Sequence, residues 1–111
     1  MNIDLRNNDC LDELSKMKDA SVDCIVTSPP YWKGFAYEAY FNSYAQYLRW
    51  SKKWMKECKR VLKPNGKVIT CGWNSGGIGK CNGMEIKEIL LVPHGGWHND
   101  TIVTVEEKQL K

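Results

Sequence analysis

Val22-Asp23-Cys24-Ile25-Val26-Thr27-Ser28-Pro29-Pro30 decides how this chain folds. The run from Val22 to Thr27 is short, apolar and β-branched, which predicts a strand buried on both faces. Pro29 and Pro30 remove two backbone donors and hold the preceding residue extended, so the strand gives way to an ordered, non-helical loop. Downstream, Ser43 and Gln46 form a capping box, and Tyr44, Tyr47, Leu48, Met55, Cys58, Val61 and Leu62 recur at helical intervals behind it. Pro64-Asn65-Gly66 is expected to end that helix, and Lys67 to Cys71 reads as the next strand. Upstream, Asn2 to Arg6 reads as a short strand, Asp9 as a helix N-cap, and Cys10, Leu11, Leu14 and Met17 as one face of a helix closed by the turn Asp19-Ala20-Ser21.

Beyond a glycine-rich stretch from Gly72 to Gly83, Met84 to Val92 and Thr101 to Glu106 read as strands joined by the turn-rich residues 93–99, although Met84 to Leu91 also suits a helix. Strand, helix, strand, helix, strand in that order implies parallel strands with right-handed crossovers, and so an α/β sheet with an antiparallel hairpin at its C-terminal edge. In such sheets ligands sit beyond the carboxyl ends of the strands, where Ser28 to Tyr31 fall.

The 111 residues suit one domain, 1–111, with a single core. Sixteen basic against thirteen acidic residues leave a net charge of +3, a mild bias towards an anionic partner. Five scattered cysteines and a polar start without a signal segment point to reduced thiols and a cytoplasmic location. No apolar run approaches the roughly 20 residues needed to cross a bilayer.

Asp23 to Trp32, centred on Ser28-Pro29-Pro30-Tyr31, resembles the (D/N/S)PPY catalytic motif of S-adenosylmethionine-dependent DNA amino-methyltransferases. Lys59 to Val68 is similar to the helix-to-strand segment that follows the motif in that family, with Asn65 where glycine is usual. The match runs from about Asp9 to Cys71 and more weakly through the terminal hairpin. It implies part of a Rossmann-like methyltransferase sheet, and transfer of a methyl group from S-adenosylmethionine to cytosine N4 or adenine N6 of DNA, as in bacterial or phage restriction-modification. Asp9 would by the same resemblance touch the cofactor's adenine.

The chemistry suits these residue types. An exocyclic amino nitrogen is a poor nucleophile because its lone pair is delocalised into the ring, so a catalyst needs acceptors for its protons more than a strong base. The Ser28 hydroxyl and the Pro29 carbonyl both accept, and the Pro29-Pro30 backbone holds them without reorganisation. Tyr31 offers a stacking face for a base swung out of the duplex, with Trp32 extending it and Tyr37, Tyr40 and Phe41 as further lining.

The family's FxGxG cofactor turn and its target-recognition region are not found in this sequence. The rival to an enzyme is therefore a shortened relative acting as a DNA-binding or partner-binding module. An active enzyme would need a second chain or a second copy to complete the cofactor site. The glycine cluster departs from a phosphate-binding loop at Asn74 and Cys81, and reads better as a connection. Arg49, Lys52, Lys53, Lys56, Lys59, Arg60 and Lys63 form a basic stripe at helical spacing, from which Lys52, Lys56 and Lys63 are the candidates for DNA phosphates. The spacing of Cys81, His94 and His98 resembles half a zinc finger, but Cys71 lies too far off to complete it, and no metal is expected.

Overall fold

Ser43 fixes the start of the longest helix: its hydroxyl accepts the Gln46 N–H at 3.1 Å, while the Gln46 side-chain oxygen accepts the N–H of Asn42. In the computed structural model, which describes residues 2–29, 41–72, 78–79, 82–96 and 100–109, this helix is α2, Tyr44–Val61. It follows a six-residue helix α1, Cys10–Ser15, and strand β1, Val22–Thr27; strands β2, Leu62–Gly72, β3, Met84–Val92, and β4, Thr101–Lys108, come after it. No helix is long and apolar enough to cross a membrane among the described residues.

The strands form one sheet in the order β1-β2-β4-β3. β1 and β2 are parallel, and β4 is antiparallel to both β2 and β3. The expected C-terminal hairpin is present, and Met84 to Leu91 is strand and not helix. The core is built where Trp54 and Cys58 of α2 meet Leu62, Val68, Ile78 and Met84, with Leu11, Leu14, Val22, Ile25, Trp50 and Met55 packed against it. Both helices therefore press on the face of the sheet that carries Ile25 and Val68.

Three expectations are corrected. Asn2 to Arg6 is not a strand: Arg6 donates to Asp4 and to Glu13 of α1, both at 2.8 Å, and this charge pairing folds the segment back on α1 with Ile3 and Leu5 exposed. With that strand gone, the sheet holds one parallel pair. β1 is an edge strand covered by helices on one face only, not buried on both, and Val26 is 69% exposed.

The third correction concerns Pro64-Asn65-Gly66. The helix ends before it, at Val61, and the tripeptide lies inside β2 as an outward kink. Val22 pairs with Leu62 while Cys24 pairs with Lys67, so five residues of β2 oppose two of β1. Asn65 takes up φ +65°, and a Cβ on Gly66 would stand 2.7 Å from Leu62 Cγ and 2.8 Å from the Lys63 carbonyl oxygen. The kink admits only glycine at its inner corner.

Arg60 locks α1 to α2. Its guanidinium donates to the carbonyls of Leu14 and Met17 at 2.8 and 2.9 Å, tying down the chain at and just past the end of α1, and also to Asp19 and Glu57. Lys108 does the same for α2, donating to the carbonyls of Lys59 and Leu62 at 2.8 and 2.7 Å.

Candidate functional site

Thr27 pairs with Thr70 at the carboxyl ends of the parallel strands, so Ser28 and Pro29 leave the sheet at the position where α/β folds bind ligands. They line a cavity of about 400 Å³ between α1, β1 and α2. Its walls come from Cys10, Leu14 and Met17 of the α1 region, Ile25 and Val26 of β1, and Trp50, Trp54 and Cys58 of α2. Glu13 also reaches this cavity, but its carboxylate is engaged by Arg6 at 2.8 Å and Asn8 at 3.1 Å. These contacts, Arg6 first, hold the Glu13 pKa down to about 2. The Cys58 thiol is pushed the other way, up to about 11, chiefly by burial.

Trp54 is the most informative wall residue. It is only 6% exposed, and its indole Nε1 is buried with no hydrogen-bond partner among the described residues. An orphan donor of this kind is costly unless something accepts from it. It has no accessible surface on the cavity, so it is an internal cost of the wall and not a donor to a ligand. A row of rings leads towards it along α2: Tyr44 stacks on Tyr47 at 6.1 Å, Tyr47 meets Trp50 at 6.5 Å, and Trp50 meets Trp54 at 6.4 Å. Phe41 packs against both Tyr47 and Trp50. Tyr44 is exposed and lies outside the core.

Sequence reasoning missed Trp50 and Trp54. The signal was available: Trp50, Trp54 and Cys58 recur every four residues and so share one helix face. Of the residues it did single out, Ser28 and Pro29 line the cavity, and Phe41 joins the aromatic row. Pro30, Tyr31, Trp32, Tyr37 and Tyr40 lie outside the described residues, as do Cys81 and His98 of the zinc pattern.

Asp9 caps α1 by accepting the Leu11 N–H at 2.8 Å. The basic stripe is shorter than its spacing suggests. Arg60 is consumed by the contacts between α1 and α2, and Lys63 belongs to β2, where it pairs with Asp23 at 3.0 Å. Lys52 and Lys56 are exposed on α2, turned by roughly 160° about the helix axis from Trp54 and hence away from the cavity.

A family model described as DNA methylase matches residues 22–109, which takes in the strand, the Ser28-Pro29 turn and everything after them. The chain belongs to this DNA methylase family. Among relatives of the chain, the type II methyltransferase M.BamHI of Bacillus amyloliquefaciens is 38% identical over 77 residues, covering 64% of this chain and 18% of that protein. The type II methyltransferase M.MjaVI of Methanocaldococcus jannaschii is 38% identical over 81 residues, covering 68% of this chain and 41% of that protein. The chain thus spans less than half the length of either relative. Its fold is shared with a DNA modification methylase of Thermus thermophilus, TTHA0409, at a TM-score of 0.68 and 17% identity over 94% of this chain and 53% of that one. The expected α/β methyltransferase sheet is therefore the fold observed.

Proposed function

We propose that this chain carries the base-side half of a DNA methyltransferase that methylates the exocyclic amino group of cytosine or adenine, with S-adenosylmethionine as donor. The observation that carries the reading is the placement of Ser28 and Pro29 at the carboxyl end of β1, on the rim of an apolar, tryptophan-walled cavity. Ser28 Oγ and the Pro29 carbonyl accept hydrogen bonds from the two amino protons of the target base, which turns the nitrogen lone pair out of the ring. Tyr31 stacks on the flipped base, assisted by Trp32 and Tyr37. Pro30 keeps the turn extended. Family membership and the type II methyltransferase relatives favour this enzymatic reading over a binding module.

When bound, S-adenosylmethionine supplies an electrophilic methyl group on its sulfonium. The cavity fits only part of it. A flat adenine suits the tryptophan walls and, near the α1 cap, Asp9. The carboxylate and ammonium of its methionine end find no such site, since Glu13, the one charged wall residue described, is already paired with Arg6. A second polypeptide or a second copy is accordingly part of the proposal. DNA is the partner, and Lys52 and Lys56 would contact phosphates flanking the target, not the flipped nucleotide. The cytoplasm is the expected location.

The test is tritiated methyl transfer from S-adenosylmethionine to DNA by the purified chain, with and without the remaining region of a full-length relative supplied in trans. Transfer that appears on complementation and falls by about 10²–10³ in Ser28→Ala supports the reading. Tyr31→Ala should weaken binding to DNA with an extrahelical base without unfolding the protein. Complemented transfer indifferent to Ser28 would refute the assigned role. DNA binding without transfer in any combination would favour the module.

A further inference from the structure

Met84-Glu85-Ile86-Lys87-Glu88-Ile89-Leu90-Leu91 reads nearly the same from both ends in its apolar pattern. It forms β3, the edge of the sheet farthest from Ser28. Edge strands expose unpaired backbone groups, and natural ones are usually blunted by charge or brevity. This one is nine residues long and leaves Ile86, Ile89, Leu90, Leu91 and Val92 exposed, Leu91 by 64%.

The register against β4 explains why the pattern is two-fold. Ile86 faces Glu106, Glu88 faces Val105, and Lys87 is the extra residue of a bulge between them. Past the bulge the alternation of faces is reset. Met84 and Ile86, opposite Lys108 and Glu106, therefore share a face with Ile89 and Leu91, opposite Thr104 and Ile102. The set is symmetric about the Lys87–Glu88 peptide.

We propose that β3 pairs antiparallel with β3 of a second copy about that peptide, joining two four-stranded sheets into one. In this register Ile86 of each copy meets Ile89 of the other, and Met84 meets Leu91. Lys87 meets Glu88, so that opposite charges face each other twice across the axis. Lys87 is already on the side of Glu107 and Glu85, at 4.0 and 3.4 Å, which is the side Glu88 shares through Val105. A concave surface of about 590 Å³, lined by Gly83, Met84, Glu85, Ile86 and Gln109, stands at one end of the strand. The antiparallel register delivers the exposed Leu91 and Val92 of the other copy to it. The interface is isologous, and closes at two chains. It leaves β1 and the Ser28 turn uncovered, so it stands or falls apart from the methyltransferase reading.

Sedimentation equilibrium of the purified chain from micromolar to hundreds of micromolar concentration tests it. A monomer–dimer equilibrium is expected, in which Lys87→Glu and Glu88→Lys each weaken association by about tenfold. The double variant Lys87→Glu/Glu88→Lys restores it, because the charges are then exchanged and again opposite. Ile89→Asp abolishes the dimer while circular dichroism shows the fold retained. A strict monomer, open-ended assembly, or a dimer in which the double variant is no better than either single one would overturn the proposal.

Discussion

Glu106 on β4 holds Ile78, 28 positions before it in the chain, its buried carboxylate accepting the Ile78 N–H at 2.7 Å and the Gly79 N–H at 2.8 Å. Ile78 is itself a core residue, so the carboxylate fixes the approach to β3 while giving two backbone donors the acceptor they need. Glu106→Gln keeps the shape but turns one acceptor into a donor facing an N–H. A loss of about 1–3 kcal/mol in unfolding free energy is expected, read as a lower urea midpoint at unchanged slope. An unchanged midpoint would mean that the 78–79 segment is held by something else.

Acid should loosen the N-terminal segment first. Glu13 has its pKa depressed to about 2 from the ordinary 4.5 by Arg6 and Asn8, and Asp4 is lowered by Arg6 as well. A depressed carboxylate contributes stability above its unfolded pKa and loses it as pH falls through the folded one. The expected window is therefore from about pH 4.5 down to about 2. The difference in urea midpoint between the parent and Glu13→Gln should be largest at pH 6, smaller at pH 3, and smallest at pH 2.

The cysteines should separate by rate. Cys24 is exposed, while Cys58 is buried in the cavity wall with its thiol pushed up to about 11. At pH 8 a disulfide reagent should label Cys24 within the mixing time and Cys58 only as fast as the protein opens. A flat ligand that occupies the cavity should slow Cys58 further. Equal rates for both thiols would place Cys58 outside the wall.

Reversing Lys52 and Lys56 together to Glu should lower DNA affinity and flatten its salt dependence, by about 0.9 in logarithmic slope for each phosphate no longer neutralised. Reversing Arg60 should instead unfasten α1, because its guanidinium holds the Leu14 and Met17 carbonyls. A Lys52/Lys56 variant with an unaltered slope would make that face of α2 ordinary solvated surface.

How far the fold could be read ahead depended on whether local chemistry or partner availability decided each element. Helix α2 was legible because Ser43 and Gln46 cap it through contacts three or four residues long. The hairpin was half legible: Thr101 to Val105 is a β-branched run after a turn-rich stretch, whereas Met84 to Leu91 suited a helix as well until its pairing with β4 decided it. Asn2 to Arg6 was misread because its alternation suits a strand, yet Arg6 finds two carboxylates nearby and takes them. The burial of β1 was misread for a different reason. Ile25 and Val26 are equally apolar, and which of them is covered depends on helices that approach one face only. At the site, Ser28 and Pro29 were singled out from a motif with a chemical rationale, and they line the cavity. Trp54 was not, because an aromatic at core spacing looks the same whether its ring nitrogen is satisfied or orphaned.

The insertion of β4 between β2 and β3 sets the order of events at the ribosome. β2 and β3 have no edge in common, and the strand that bridges them, Thr101–Lys108, follows both along the chain. A nascent chain halted at the turn before Thr101 holds α1, β1, α2 and β2 as one unit and β3 as a loose apolar ribbon. The sheet can close only once β4 has left the exit tunnel. Synthesis proceeds at about 5–20 residues per second. Until then Ile86 to Val92 is exposed on both edges, and this is the interval in which a chaperone has something to hold.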